Sequence, residues 1–440
     1  MRVFTIIWSG QALSLLGSTM TTFGVGIYVY LQTGSAASFT TLVLAGTLPG
    51  IVLLPVAGAL VDRWDRRWAM MVSDAGSALA PLIAVLLLAT GHLRLWHLYA
   101  LAVLLSVFKA VQWPAFSALV PQIVTREQLS VANGRIGVAE AVGAVGGALL
   151  GGALYPVLGL VGLLTVDVVT FTVAVLTVLV TTRMVPPAPA RAGTSVSAGL
   201  TEGWRFIRAR PGLFGLLLFF AANNFGMQTV IVLVPPLVLT LASPAVYGVV
   251  EAVGWAGMAI GSVVVSAARE PRRKVATIMV VGLVHAVLVL AMGLTHSVWV
   301  VMTGMFGILG GYSVINAVTA TLWQLKTPTQ VQGRVFAVRR MISWSSQPFA
   351  YACAGLLAQY VAAPLVTGDG PLTGTVGRVT GAGQVGGIAL VFLVSAALLL
   401  GTQLLLWLRP AVRNVETDLP DLVVTAPEPA ADRDPALQAG

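Results

Sequence analysis

The chain has 440 residues, of which 57% are hydrophobic and 9% are charged, with a formal net charge of +9. A soluble domain carries about 25% charged residues, so a soluble fold of this length would expose much of its apolar surface. The composition therefore excludes an ordinary water-soluble protein and favours a chain embedded in lipid. The single cysteine, Cys353, excludes an intramolecular disulfide and a Cys-rich metal site.

Twelve apolar runs follow one another along the chain, each close to the length of about 20 residues that crosses a bilayer as a helix. The first run is too long and too lightly charged at its start for a cleaved signal peptide, so we interpret it as the first span. A β-barrel is disfavoured because the runs do not alternate apolar and polar residues. The predicted spans lie near residues 8–30, 38–61, 68–90, 97–120, 135–155, 160–181, 212–240, 245–268, 275–294, 298–325, 335–361 and 384–409.

The runs form two groups of six. We expect an N-terminal six-helix bundle over residues 1–181, a cytoplasmic linker over 182–211, a C-terminal six-helix bundle over 212–409 and a disordered tail over 410–440. In the linker, Pro186–Pro189 predicts an extended spacer, and Leu200–Arg210 predicts a short amphipathic helix. That helix is either a clamp between the halves on the inner leaflet or a solvated linker.

The basic residues indicate the orientation. Of the 25 Lys and Arg residues, 22 lie on one side of the predicted spans, whereas Arg94 and Arg378 lie on the other and Lys109 lies within a span. Basic residues accumulate on the cytoplasmic side of membrane proteins. Both termini are therefore expected to be cytoplasmic.

A charged loop separates the second and third spans. It contains a glycine, two acids and three arginines at Gly58, Asp62, Arg63, Asp65, Arg66 and Arg67. The tendency of basic residues to lie on the cytoplasmic side explains the arginines. It does not explain the two acids, because acidic residues contribute little to membrane topology. Carboxylates placed between arginines form charge-assisted pairs near a helix end. We therefore predict a cytoplasmic latch, with a plain topology marker as the alternative.

The two halves contain a similar tripeptide at matching positions, which indicates a duplication. Asn133-Gly134-Arg135 follows the fourth span of the first half, and Gln332-Gly333-Arg334 occupies the matching position in the second. The matched position favours parallel repeats, an arrangement found in transporters.

The charged loop resembles the motif between the second and third helices of major facilitator superfamily transporters. Asp65 stands where a second glycine is common, which resembles the macrolide-efflux branch, grouped with siderophore exporters. Further similar residues are Gly10-Gln11, Thr33-Gly34-Ser35, Ser73-Asp74, Trp323-Gln324 and Gly333-Arg334-Val335-Phe336, so the resemblance covers roughly residues 4–360. It implies an all-α integral membrane protein with twelve transmembrane helices in two six-helix pseudo-symmetric halves, the major facilitator fold.

The resemblance also implies a function. We expect a secondary active transporter in the cytoplasmic membrane of a bacterium that exports a hydrophobic or amphipathic small molecule, such as a drug, a macrolide-like compound or a siderophore, by proton antiport with alternating access. The fifth span keeps the glycine spacing of an export motif, at Gly143, Gly147, Gly151 and Gly152, with Ala148 in place of its proline. Glycines at this spacing allow close helix packing.

Ionisable groups inside spans are rare and costly, so each is a functional candidate. Five are predicted to take part in proton coupling: Asp74, Lys109, Glu140, Asp167 and Glu251. We expect Glu251 or Asp167 to carry the proton and Lys109 to respond to it. Asp74 and Glu140 alternatively extend the charged network of the loop.

Polar side chains within the spans predict the lining of a substrate cavity between the halves: Gln11, Asn223, Asn224, Gln228 and Asn316. The alternative for each is a hydrogen bond between helices. We expect no enzyme activity, no cofactor, no metal and no nucleic acid, because no phosphate-binding loop, metal cluster or nucleophile–base pair is present. The expected partners are a small-molecule substrate, protons and membrane lipids, and the expected state is a monomer. A lipid or lysophospholipid flippase on the same fold, or a non-transporting membrane receptor or scaffold, remain the alternatives.

Overall fold

A computed structural model of the chain describes residues 1–181, 196–269, 271–328 and 330–422, and this part is almost entirely helical. The helices are α1 Arg2–Thr33, α2 Ala36–Arg63, α3 Arg66–Ala89, α4 Leu95–Ile123, α5 Leu129–Thr181, α6 Val196–Arg208, α7 Pro211–Leu241, α8 Pro244–Ala267, α9 Lys274–Leu294, α10 Val298–Leu325, α11 Gln332–Leu356 and α12 Gly383–Leu408. A π-helical turn, Leu357–Ala362, and a short helix, Ala363–Val366, extend α11.

Eleven helices among the described residues are long and apolar enough to cross a membrane. The longest, α5, has 53 residues and contains a non-helical break at Gly159 (φ 61°, ψ −171°). A straight helix of this length would be about 80 Å long, far more than the ~30 Å hydrocarbon core. The break divides α5 into two arms, 129–158 and 160–181. The predicted all-α membrane fold is confirmed, and the predicted count of twelve spans depends on counting these arms separately.

Glycines bring α1 close to both arms of α5. A side chain added at Gly143, Gly147 or Gly151 of the first arm would lie within 3.0 Å of Leu15, Thr19 or Phe23 on α1. On another side of α1, one added at Gly24 would lie 2.6 Å from Leu163 in the second arm. Because glycine lets helix backbones approach closely, α1 is held between the two arms.

The two ends of the bundle differ in how the halves meet. We call the end that carries Asp65, the start of α9 and the end of α10 the basic end, and the other the opposite end. We call residues 1–181 the N-terminal half and residues 211–422 the C-terminal half. Two buried apolar clusters lie at the basic end, one made from the N-terminal half and one from the C-terminal half together with α6. The largest cluster, toward the opposite end, contains residues of both halves. The cores of the described residues therefore join the halves at the opposite end.

The junction, which we call the inter-half seal, includes the following four contacts between the halves. The rings of Phe23 and Tyr247 stack with centroids 4.6 Å apart. The hydroxyls of Tyr30 and Thr240 lie 2.6 Å apart. The Ser35 hydroxyl donates to Gln359 Oε1 at 2.6 Å. A side chain added at Gly152 would lie 3.0 Å from the Cα atom of Gly248, so these backbones also touch.

The predicted linker helix is present as α6, and it packs on the C-terminal half. Ile207 is fully buried in the cluster of that half, and Leu200 and Trp204 lie against the same cluster. Arg334 of α11 forms a salt bridge with Glu202. The apolar face of α6 therefore packs on protein, not on the inner leaflet. The predicted spacer Pro186–Pro189 lies outside the described residues.

The prediction of a disordered tail is wrong for residues 410–422, whereas residues 423–440 lie outside the described part. Two short helices, Pro410–Arg413 and Val415–Asp418, follow α12, and Val415 is fully buried. The Glu416 carboxylate accepts hydrogen bonds from the backbone N–H groups of Lys274 and Val275 at 2.8 and 3.0 Å. Buried apolar side chains and the Glu416 cap hold this segment on the C-terminal half. The residues that make these contacts form no periodic sequence pattern that would predict an ordered segment.

We predict that Glu416→Ala lowers the free energy of unfolding by about 1–2 kcal/mol, because the first turn of α9 loses a carboxylate cap. Thermal unfolding in detergent micelles measures this change. Asp418→Ala is the matched control, since that exposed carboxylate accepts from its neighbour Thr417. An equal loss in both variants would contradict a capping role for Glu416.

Candidate functional site

A cavity of about 270 Å³ lies against α1, α4 and the first arm of α5. Aromatic and amide side chains form much of its wall, and the charged groups on it are Lys109 and Glu140. The lining residues are Trp8, Gln11, Ala12, Ser14, Leu15, Ser18, Lys109, Gln112, Trp113, Phe116, Ile136, Ala139 and Glu140. An apolar wall with a few polar groups is typical of a small-molecule site.

The carboxylate of Asp74 lies directly behind two of these lining residues. Asp74 is fully buried on α3. Gln11 Nε2 and Gln112 Nε2 each donate to one of its oxygens at 2.6 Å, and Gln112 Nε2 also lies 3.1 Å from Gln11 Oε1. Because both amides line the cavity, Asp74 is separated from the cavity by a single layer of side chains.

Asp167 lies behind another part of the same wall. It is fully buried in the second arm of α5, and its Oδ1 accepts from the Ser18 hydroxyl at 3.2 Å. Its Oδ2 has no hydrogen-bond partner among the described residues. The carboxylate is attracted to Lys109, which lines the cavity. A carboxylate buried without full hydrogen bonding is costly, so Asp167 remains a candidate functional residue.

Glycine at position 17 makes room for Asp167. A side chain added there would lie 3.2 Å from Asp167 Oδ1 and would collide with the Thr170 hydroxyl. The close packing of α1 on the second arm of α5 thus determines how near Asp167 lies to Ser18 and to the cavity.

The other predicted proton-coupling residues lie apart from these two carboxylates. Glu140 is exposed and lines the cavity from α5. Glu251 lies on α8 in the C-terminal half, where Trp255 Nε1 donates to its carboxylate at 3.2 Å. The structure therefore brings Asp74, Lys109, Glu140 and Asp167 to one cavity and places Glu251 near the inter-half seal.

Of the residues predicted to line the cavity, one lies at the cavity and the others lie elsewhere. Gln11 lines the cavity, whereas the residues on α7 contact α11: Asn224 Nδ2 donates to the Ser343 carbonyl at 3.3 Å, and Gln228 accepts from the Tyr351 hydroxyl at 3.0 Å. Asn223 is buried, and its Oδ1 has no partner among the described residues. Asn316 is exposed on α10 and is not part of the lining.

Several lining residues were not predicted, in particular Trp8, Trp113 and Phe116. The sequence does contain a signal for part of this wall. Trp8, Gln11 and Leu15 follow one another at three- and four-residue spacing, which places them on one face of a helix. Tyr247 was missed as well, although it precedes Glu251 by four residues.

Part of the charged loop has a local explanation. Asp65 precedes α3, and its Oδ1 accepts from the backbone N–H of Arg67 at 3.0 Å as a helix N-cap. The Arg67 guanidinium also hydrogen-bonds this carboxylate and, with its charge, lowers the pKa of Asp65 below its ordinary value. Arg66 is the first residue of α3. The side chains of Asp62 and Arg63 lie outside the described part of the structure, as do the surroundings of Gly58, so the latch stays a prediction.

The glycines of the fifth span lie at two interfaces. Gly143, Gly147 and Gly151 face α1, and Gly152 faces α8 in the other half. The structure therefore places the first three within one half and Gly152 in the inter-half seal.

The fold and the cavity together define a polytopic α-helical membrane protein with a cavity in its N-terminal half. The family model of the Major Facilitator Superfamily matches residues 7–351, and the chain belongs to that superfamily.

Two relatives show what the chain is similar to in sequence. It is 25% identical over 367 residues to macrolide efflux protein A of Streptococcus pyogenes, covering 81% of this chain and 90% of that protein. It is 28% identical over 342 residues to the multidrug efflux pump Tap of Mycolicibacterium fortuitum, covering 75% of this chain and 83% of that protein.

Solved structures agree on the fold. A bacterial homologue of the human lysosomal transporter Spinster, in an inward-facing and unoccupied conformation, matches with a TM-score of 0.68 at 16% identity and covers 97% of this chain and 98% of that one. The nucleoside transporter NupG matches with a TM-score of 0.66 at 10% identity and covers 93% of this chain and 99% of that one. The resemblance inferred from the charged loop is confirmed by the family model and by the two efflux relatives.

We predict that Asp65→Ala lowers the free energy of unfolding by about 1–2 kcal/mol and Asp65→Asn by less than about 1 kcal/mol, because asparagine keeps the cap and loses only the surface ion pair. Thermal unfolding in detergent measures both. Since the folded pKa of Asp65 is lowered, its ion-pair contribution is present above the unfolded pKa and is lost as the pH falls through the folded pKa. Equal effects of the two substitutions would contradict the capping role.

Proposed function

We propose that this chain is a proton-coupled exporter of hydrophobic or amphipathic small molecules, such as macrolide-like drugs or siderophores. The observation that carries the proposal is the cavity beside α1, whose aromatic and amide wall has buried carboxylates directly behind it. The names of the relatives, macrolide efflux protein and multidrug efflux pump, agree with such a substrate.

Protons are the proposed driving ion because Asp74 and Asp167 sit one side chain away from the cavity. A carboxylate in such a place takes up a proton when the cavity is exposed to one side and releases it when the cavity is exposed to the other. Lys109 lines the cavity and is attracted to the Asp167 carboxylate, so protonation of that carboxylate would remove this attraction.

Transport by alternating access would require the halves to separate at one end and to join at the other. The inter-half seal at the opposite end supports this proposal, because the core clusters at the basic end belong to one half each. The distribution of Lys and Arg supports a cytoplasmic basic end in a bacterial inner membrane. A monomer is sufficient, because the cavity is formed within one chain.

The alternative is a lipid or lysophospholipid flippase. The exposed Trp113 and the cavity at α4 and α5 would suit an acyl chain as well as a drug. Reconstituted protein decides between the two: a drug exporter accumulates a macrolide in response to an imposed pH gradient, whereas a flippase moves a labelled lysophospholipid between leaflets. A receptor or scaffold would do neither.

We predict that Asp167→Asn reduces pH-gradient-driven macrolide uptake into proteoliposomes more than about tenfold, because an amide cannot exchange a proton. Asp74→Asn is expected to act in the same direction, and binding of the macrolide without a gradient is expected to persist in both. The control is Asp369→Asn, an exposed carboxylate outside the spanning helices. Full gradient-driven uptake in both cavity variants would refute proton coupling through these residues.

A further inference from the structure

We propose that the cavity beside α1 binds organic cations and that Glu140 is the residue that selects them. The substrates would be apolar or amphipathic molecules that carry a protonated amine or a quaternary ammonium group. The inference rests on the proposed function, which it narrows from hydrophobic small molecules in general to lipophilic amines. A ligand whose polar groups are anionic would fit the same wall poorly.

The charges in and directly behind the wall of the cavity have a negative balance. Glu140 lies on the wall, and Asp74 and Asp167 lie behind it. Lys109 is the cation of the lining, and the buried Asp167 carboxylate attracts it. When all four groups are ionised, the carboxylates outnumber the ammonium group by two. A cavity lined by one sign of charge concentrates ligands of the opposite sign, so this one favours cations.

Glu140 is the carboxylate that a ligand can contact directly. Its side chain is exposed, whereas Asp74 and Asp167 are fully buried. Among the described residues, no charged or hydrogen-bonding group acts on the Glu140 carboxylate. Arg135 of the same helix donates to the Thr5 hydroxyl at 3.2 Å and is not part of the lining. Glu140 is therefore left to pair with a cation in the cavity.

The Asp74 carboxylate determines how the amide of Gln112 is turned. Ionised carboxylate oxygens only accept hydrogen bonds, so both neighbouring amides turn their nitrogens toward Asp74. Gln112 Nε2 donates to Asp74 Oδ1 at 2.6 Å and to Gln11 Oε1 at 3.1 Å, and Gln11 Nε2 donates to Asp74 Oδ2 at 2.6 Å. Both hydrogens of Gln112 Nε2 are thus engaged. Gln112 Oε1 receives no hydrogen bond from the described residues and can accept one from a ligand.

Two further lining residues have no donor hydrogen left for a ligand. The Ser18 hydroxyl donates to Asp167 Oδ1 at 3.2 Å, and Trp8 Nε1 donates to the Arg135 carbonyl oxygen at 3.0 Å. Ser18 can therefore only accept a hydrogen bond from a ligand, and Trp8 can contact a ligand only through its ring. Acceptors on the wall suit a protonated amine, which donates hydrogen bonds, and leave the acceptors of an anionic ligand unpaired.

Aromatic rings in the lining favour the same class of ligand. Trp8, Trp113 and Phe116 line the cavity, and the Trp113 side chain is 53% exposed. The faces of aromatic rings are negative and attract organic cations, tryptophan most strongly. The same rings provide apolar surface for the hydrophobic part of the ligand. The wall therefore has both properties that recognition of a lipophilic amine requires.

Two ions of nearly equal size and shape but opposite charge test the inference: tetraphenylphosphonium and tetraphenylborate. Equilibrium dialysis against the purified full-length protein in a non-ionic detergent gives both dissociation constants. Their ratio is compared between variants, because differences in micelle partitioning cancel in that comparison. We expect Glu140→Gln to weaken phosphonium binding about fivefold, the effect of one partly exposed ion pair, without weakening borate binding. Glu140→Lys should shift the ratio further in the same direction.

Glu127→Gln is the matched control, because Glu127 is an exposed carboxylate that precedes α5 and does not line the cavity. It should keep the parent ratio. A macrolide with a basic amino sugar should displace the phosphonium ion from the parent. Parent-like ratios in both Glu140 variants, or no displacement by the macrolide, would overturn the inference.

Uptake of the macrolide on a pH gradient separates this inference from the proposed function. If the parent takes up the macrolide but the ratio does not depend on Glu140, the inference fails and proton-coupled export stands. If the phosphonium ion binds through Glu140 but no gradient drives uptake, the cation site stands and proton-coupled export fails.

Discussion

The packing of α1 between the two arms of α5 is the constraint on which the rest of the structure depends. Glycines on both helices let the backbones approach, and this approach determines where every functional side chain of α1 lies. Gln11 reaches Asp74 on α3, and Ser18 reaches Asp167 on the second arm. Phe23 reaches Tyr247 in the other half. Larger residues in place of these glycines would move α1 outward and separate all three pairs at once.

The break at Gly159 makes this arrangement possible. A continuous 53-residue helix cannot lie on two sides of α1, and the positive φ at Gly159 suits glycine and few other residues. The two arms then supply different chemistry: the first lines the cavity with Glu140, and the second places Asp167 behind the cavity wall. One local backbone conformation therefore gives both the packing of α1 and the grouping of charges.

Much of the fold could be predicted from the sequence, because a lipid environment leaves few choices: apolar runs of about 20 residues must be helices. The grouping of Asp74, Lys109 and Asp167 could not be predicted in detail, because it depends on which faces of α1, α3, α4 and α5 meet. The residues on α7 show the limit of such reasoning. Asn224 and Gln228 are polar residues inside a span, as are the cavity residues, yet their partners lie on α11. The ordered segment 410–422 was missed because two buried valines and one capping carboxylate have no periodic pattern.

The placement of the carboxylates bears on how proton and substrate would be coupled. Asp74 and Asp167 lie behind the cavity wall, whereas Glu251 lies beside the inter-half seal, so the carboxylates and the lining of the cavity are formed by different residues. In the proposed scheme the common element is α1, which contributes Gln11 and Ser18 to the cavity and Phe23 to the seal. Coupling between separate sites requires an element with two arrangements that both sites bias. A shift of α1 between the arms of α5 would alter the hydrogen bonds to both cavity carboxylates and the stack on Tyr247 together.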